Sequence, residues 1–403
     1  MTTVLFASEG SATFSEHRAQ LTLAQRLLRL GHRLVFARAE IESGHQTFAQ
    51  LGWVMLPAPR SLEAETRAKH PSTYAQALQQ LGFDDGRTLT AHVEAWRHLF
   101  AAARIDVLVA DHAPTALLAA SICELPSVAI GNPFTVPAAD SATLAAGAAT
   151  NTGSDRNGAF PLERMNEVLV NHGRRALQDP ADLFRDIPVL LTTFRQLDVA
   201  RNQTPTYVGP IGQRDVSDST RWMPQNSRPR VLAQVSRRTP NLRSIFQQLQ
   251  AIQGDVICFV PDACDLEPSR LEHFRLVPNQ SAPTSLIQEA SVVVGNGETD
   301  LVAQAAIASI PQVKVPIHAH EHLNSKLANE RGISVAVEMK REPAAFGKAM
   351  QEAIKNPRYR TSAVELAADC ARFHADTMIE FAVGIIERCR GGKPGKLGAK
   401  VGN

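Results

Sequence analysis

The residues best placed to do chemistry lie between Ser291 and Leu327. A short apolar run, Val292-Val293-Val294, breaks at Gly295-Asn296-Gly297 and resumes with helical spacing from Leu301 to Ala308. Ile310-Pro311 follows, then a second apolar run from Val313 to Ile317 and a polar loop ending in Leu323-Asn324. The pattern predicts strand, glycine-bearing turn, helix, strand and turn, which is a βαβ unit. A helix that starts just after Gly297 offers unpaired backbone N–H groups and the positive end of its dipole, a setting that suits phosphate. An ordinary βα turn without a ligand fits the local pattern equally well. His318-Ala319-His320-Glu321-His322 suggests other chemistry, because alternate histidines on an extended segment share a face and could take zinc or copper.

Those residues need a frame, and the rest of the chain supplies one. Val4 to Ala7 reads as a buried strand, Leu21 to Leu28 as a helix closed by Gly31, and Leu34 to Ala37 as a second strand. Further strands are read at Trp53–Leu56, Ile105–Ala110, Ser127–Ile130 and Val189–Thr192, with helices between them. Asp111-His112 sits at a strand exit. A second series begins at Arg230, with strands at Val231–Val235, Val256–Val260, Val292–Val294, Val313–Ile317 and Ile333–Val337. Helices are expected over Pro343–Ile354 and Ser362–Arg388. Strands alternating with helices predict two doubly wound parallel sheets, an α/β fold with Rossmann-like domains facing a cleft. The expected divisions are residues 1–212, a linker at 213–229, a second domain at 230–372, a C-terminal helix at 373–390 that packs back on the first domain, and a disordered tail at 391–403.

Composition narrows the function classes. The 403 residues are 44% apolar and 20% charged, as in a globular protein with a full core. A formal net charge of +2 gives no electrostatic case for a nucleic-acid partner or an anionic membrane. Five cysteines without a C-x-x-C pair indicate neither a disulfide framework nor a structural zinc site. No apolar run is long enough to span a bilayer, and the chain opens on a strand-like segment without a basic region and cleavage site. The reading is a cytoplasmic protein, with homodimer formation left open.

Four stretches resemble the nucleotide-sugar glycosyltransferases of the GT-B fold, the family that holds plant, macrolide and rhamnolipid transferases. They are Leu23 to His32 with its closing R-G-H, Val107 to Asp111 followed by Ala116 to Pro126, Tyr207-Val208-Gly209-Pro210-Ile211, and the central stretch itself. The resemblance runs to about Arg388 and implies an acceptor-binding first domain and a donor-binding second one. It implies inverting, metal-independent transfer of a sugar from a nucleoside diphosphate to a small hydroxylated acceptor, natural-product or lipid-like. The donor is a substrate, with UDP and dTDP the nucleotides in view, and no cofactor or metal is assigned.

By the same resemblance the catalytic base is Glu16 or His17, oriented by Asp111. Arg237, Asn296, Gly297, Glu298 and Thr299 fall at the diphosphate, Gln304 at the ribose, and His320, Glu321 and Asn324 at the sugar. Departures from the family pattern cluster here: Asn296 replaces a histidine, Glu298 and Asp300 replace glycines, and Gln304 replaces a glutamate. Two carboxylates beside a diphosphate would repel it. The alternative reading is therefore a catalytically inactive GT-B relative serving as a binding or helper subunit.

Overall fold

The computed structural model describes residues 1–10, 18–39, 41, 48, 51–60, 74–137, 156–198, 205–212, 220–224, 228–261, 266–267, 269–270, 273–278 and 282–390. The first half contains β1 (Thr3–Ser8), α1 (Arg18–Arg29), β2 (Arg33–Arg38), β3 (Val54–Pro57), α2 (Tyr74–Gln80), α3 (Gly86–Ala103), β4 (Val107–Asp111), α4 (Pro114–Cys123), β5 (Ser127–Gly131), α5 (Arg156–Asn171), β6 (Val189–Leu191) and β7 (Thr206–Tyr207). The strand order is β3-β2-β1-β4-β5-β6-β7, and every pairing is parallel. All six residues of β1 are buried, as expected for a strand covered by helices on both faces. The helix α3 begins where the Asp85 side chain accepts hydrogen bonds from the N–H groups of Arg87 and Thr88, and it ends at Arg104 in the left-handed region.

The second half contains β8 (Arg230–Gln234), α6 (Leu242–Gln250), β9 (Asp255–Val260), β10 (Ser269–Arg270), β11 (Phe274–Pro278), α7 (Thr284–Gln288), β12 (Val292–Gly295), α8 (Thr299–Ile307), β13 (Gln312–Lys314), α9 (Ala319–Glu330), β14 (Ser334–Ala336), α10 (Ala345–Lys355), α11 (Pro357–Asp369) and α12 (Ala375–Cys389). Its order is β10-β11-β9-β8-β12-β13-β14, parallel except for the edge strand β10. The two doubly wound sheets read from the alternating pattern are thus present. Among the described residues, no helix is long and apolar enough to cross a membrane.

Two expectations need correction. The apolar run Val313–Ile317 forms a strand only as far as Lys314, because Pro316 cannot donate to a ladder. The helix expected over Ser362–Arg388 is two helices, broken at 370–374. The break lets the chain change partners. Ala363 and Leu366 of α11 pack with Val302 and Ala306 of α8, in the second domain. Ile379, Ala382, Val383 and Ile386 of α12 instead join Val4, Phe6, Val107 and Val109 of the first sheet. Phe373, between the two helices, meets Phe194 edge-on at 5.3 Å. Its ring lies over Gly209, where an added Cβ would come within 2.4 Å of it.

A second seam joins the halves. Phe194 and Leu197, just after β6, share an apolar cluster with Val302, Ala303 and Ala306 of α8. The two seams meet where Phe194 packs on Phe373, so one apolar cluster ties the two halves together. Ile386→Ala should cost about 2–5 kcal/mol and, although near the C-terminus, should lower hydrogen-exchange protection in β1 and β4. Unchanged protection there would mean that α12 does not brace the first sheet.

Candidate functional site

In each sheet the strand order reverses at one place, between β1 and β4 in the first and between β8 and β12 in the second. Open α/β sheets bind ligands in the crevice beyond the strand C-termini at such a reversal. The first crevice is edged by Ser8-Glu9-Gly10 and Asp111-His112, the second by Ser236-Arg237 and Asn296-Gly297-Glu298.

The second crevice is tied together by Asn296, whose side chain is fully buried. Its Oδ1 accepts from Ser236 N at 2.6 Å, and its Nδ2 donates to Thr239 Oγ1 at 3.0 Å and to Val315 O at 2.8 Å. One amide thus joins the loops after β8, β12 and β13. Asn296 was expected to face the diphosphate, but its side chain is committed to this brace, and only backbone remains for a ligand. Gly297 has φ +110, and an added Cβ would meet Glu321 O at 2.8 Å and Ser325 Oγ at 2.9 Å, so a side chain there would be both strained and crowded. Asn324 Nδ2 donates to Gly297 O at 2.9 Å and to Thr299 Oγ1 at 3.0 Å, which latches α9 to the start of α8. Arg237 is exposed on the neighbouring loop.

The acidic residues sit differently from the expectation. Glu298 folds back, and its Oε2 accepts from Gly297 N at 3.2 Å. Gln304 is buried; it donates to Asp300 Oδ2 at 2.8 Å and accepts from Thr284 Oγ1 at 3.1 Å. Its amide is thus spent on positioning Asp300, one helical turn earlier and half-buried at the start of α8. Glu321 is buried and caps α9, accepting from Ile317 N at 2.7 Å and His318 N at 2.8 Å. That engagement, rather than a sugar, accounts for its carboxylate.

His320 is half-buried and faces the first domain. Its ring lies 5.7 Å from that of Phe134 and 5.7 Å from that of His318. Burial, and then the imidazoles of His318, His112 and His322, push His320 down to about 3, so it is neutral at physiological pH. The 318–322 stretch opens a helix instead of running extended, and among the described residues no group of three potential ligands could hold a metal.

On the facing wall, Asp111 Oδ2 accepts from Gln20 Nε2 of α1 at 2.8 Å. His112 follows with φ +49 and interacts electrostatically with His320 across the cleft. Glu16 and His17 lie outside the described residues. Glu9, which the sequence reading passed over, is a buried carboxyl at the exit of β1. It accepts from Thr115 N at 2.9 Å and Ala116 N at 2.7 Å, at the start of α4. Burial outweighs those hydrogen bonds and raises it from 4.5 to about 7. An acid directly after a buried strand was the only signal the sequence held. Lys314, fully buried on β13, was also missed, although a lysine inside an apolar run is a visible anomaly.

No protein-family model and no curated protein matches this sequence. Solved structures do match in shape. The glycotransferase of kitacinnamycin shares 17% identity with a TM-score of 0.66, covering 96% of this chain and 98% of that one. The glycosyltransferase SsfS6 of Streptomyces sp. SF2575, in complex with thymidine diphosphate, shares 17% identity with a TM-score of 0.65, over 95% of this chain and 99% of that one. The spinosyn rhamnosyltransferase SpnG, complexed with spinosyn aglycone, shares 16% identity with a TM-score of 0.63, over 94% and 99%. The fold is GT-B. In a GT-B chain the two crevices described above are the two walls of the interdomain cleft.

The Glu9 carboxyl carries a pH signature. Its folded value lies above its unfolded one, so its protonated form stabilises the fold below pH 4.5, and that stability is lost as the pH rises to about 7. Glu9→Gln removes this dependence. The variant should gain on the wild type by about 3 kcal/mol between the two limits, from roughly 1.4 kcal/mol per pH unit, read as urea midpoints. A difference between the two proteins that does not change with pH would contradict the burial argument.

Proposed function

We propose that this chain is a glycosyltransferase that moves a sugar from a nucleoside diphosphate to a hydroxyl of a small acceptor. The observation that carries the reading is the pairing of walls. The start of α8, with Gly297 and Arg237, stands on one side of the GT-B cleft, and Asp111 at the end of β4 on the other. The neighbours support the choice of ligands: SsfS6 is described with thymidine diphosphate and SpnG with an aglycone.

In this reading the diphosphate lies against the N–H groups at the start of α8. Those groups and the Arg237 guanidinium meet the charge that grows on the leaving phosphate, without a metal ion. Asp300, held by Gln304, accepts from a pentose hydroxyl. His320, neutral, and Asn324 line the sugar side. Thr299 anchors the turn through Asn324. On the first domain a base, Glu16 or His17, takes the proton of the acceptor hydroxyl, and Asp111 orients that base. The acceptor oxygen bonds to the anomeric carbon as the bond to the phosphate oxygen breaks from the opposite face, so the configuration inverts. The reading places the protein in the cytoplasm.

One observation favours a second reading, a GT-B chain that binds without catalysing. The Glu298 carboxyl already lies in the turn that the diphosphate would use. Thermal-shift titration against UDP, dTDP, GDP and their sugars separates the two, since a ligand of the folded state raises the melting temperature by mass action. A shift with one nucleotide is expected. With a donor in hand, Asp111→Asn should lower kcat by about 100-fold with little change in melting temperature, and chelation of divalent metals should leave turnover unchanged. The absence of a shift with every nucleotide would favour the non-catalytic reading. Undiminished turnover in Asp111→Asn would remove that residue from the chemistry.

A further inference from the structure

The turn between β12 and α8 holds a carboxyl of its own. The Glu298 carboxyl receives the Gly297 N–H at 3.2 Å, and the N–H groups of Asn296 and Glu298 itself also act on it. These are the donors that a helix N-terminus offers to a bound anion. The same carboxyl oxygen lies 3.4 Å from the position of a Cβ on Gly295, so it is packed over the end of β12 rather than extended into the cleft.

A second, independent feature lies beneath it. Lys314 pairs with Gly295 in the parallel ladder, and its side chain is fully buried. Its ammonium has no hydrogen-bond partner among the described residues. The charges it faces are those of Glu298 and Glu321. Glu321 is already committed to the backbone N–H groups of Ile317 and His318. Burial drives Lys314 down and Glu298 up, and the attraction between the two opposes both shifts. An ammonium inside a strand without a hydrogen bond is costly unless a counter-charge stays close. Glu298 is the neighbour able to leave, because it is half-buried and accepts from Gly297 N at 3.2 Å, whereas Glu321 is buried and caps a helix through bonds of 2.7 and 2.8 Å.

We propose that Glu298 is a built-in occupant of the diphosphate site, so that a donor binds only when its phosphate displaces the Glu298 carboxyl and takes over Lys314 as its buried counter-ion. This rests on the sugar-transfer reading and deepens it. It reconciles two facts that otherwise conflict, an anion-binding turn and a glutamate inside it. The residue thereby sets donor affinity: each donor must out-compete an intramolecular carboxyl, which selects for a diphosphate, with a charge on each of its two phosphates, over singly charged anions.

The test is calorimetric titration of wild type, Glu298→Gly and Glu298→Gln with thymidine diphosphate and, separately, with inorganic pyrophosphate. Loss of the plug should tighten both ligands on the order of tenfold in Glu298→Gly, with a smaller gain in Glu298→Gln. Because Glu298→Gly leaves Lys314 with one counter-charge fewer, melting temperatures are recorded alongside. If that variant does not fold, Glu298→Gln carries the comparison. Lys314→Met in the wild-type background should weaken both ligands, since their counter-ion is gone. A gain for pyrophosphate without one for the nucleotide supports the plug and counts against the sugar-donor reading. Tight nucleotide binding to wild type, unchanged in both Glu298 variants, overturns the plug and leaves the sugar-donor reading standing. No gain for either ligand also overturns it.

Discussion

The cleft wall of the second domain depends on one buried amide. Parallel strands end in loops that share no ladder, and nothing in the backbone alone fixes the loops after β8, β12 and β13 relative to one another. Asn296 does so, with one acceptor and two donor bonds reaching Ser236, Val315 and Thr239. Inside a protein such a network is strong when complete and costly when broken. The position of Arg237, the course of the turn at Gly297 and the start of α8 follow from it. Asn324 extends the same logic to α9, since its amide closes on Gly297 and Thr299. The site is therefore a set of backbone positions held by side chains, rather than a set of side chains held by backbone.

The opposite wall is placed by apolar packing. Helix α12 leaves the second domain and completes the core of the first, while Phe194 and Leu197 reach the other way onto α8. Two such seams allow the strand ends of both sheets to point into one cleft. Contact across it is visible where Phe134 approaches His320. A cleft closed by small patches opens at modest cost, as the binding and release of ligands proposed for it would require.

Much of this was legible in the sequence. Alternating apolar runs gave the two sheets, because strands covered on both faces must be continuously apolar, as β1, β4 and β12 are. Glycine at position 297 marked a turn, and Asp111 marked a strand exit. The roles within the donor turn were less accessible. Asn296, Gln304 and Glu321 were expected to face ligand, yet each spends its polar atoms on the protein. Spacing gives a residue's place along the chain, not which of its neighbours claims its hydrogen bonds. The break at 370–374 was hidden for a similar reason: both halves keep helical spacing, and only the change of partner domain separates them. Lys314 could have been noticed inside its apolar run, but its link to Glu298 needs the register of β12 against β13.

Glu298 and Lys314 account for one another. A carboxyl within an anion site is tolerable when a buried cation lies beneath it, and a buried cation is tolerable when a carboxyl stays near. Neither residue makes physical sense alone. As a pair they leave the fold intact, and under the proposal above they raise the requirement on any anion that enters.

The central claim is that a nucleoside diphosphate binds with its terminal phosphate at the start of α8. A crystal structure of the chain soaked with thymidine diphosphate tests it most directly. The account predicts phosphate density against the N–H groups of Gly297 and Glu298, with the Glu298 side chain turned out into the cleft. Nucleotide bound elsewhere, or its absence with Glu298 still folded over Gly295, would contradict it.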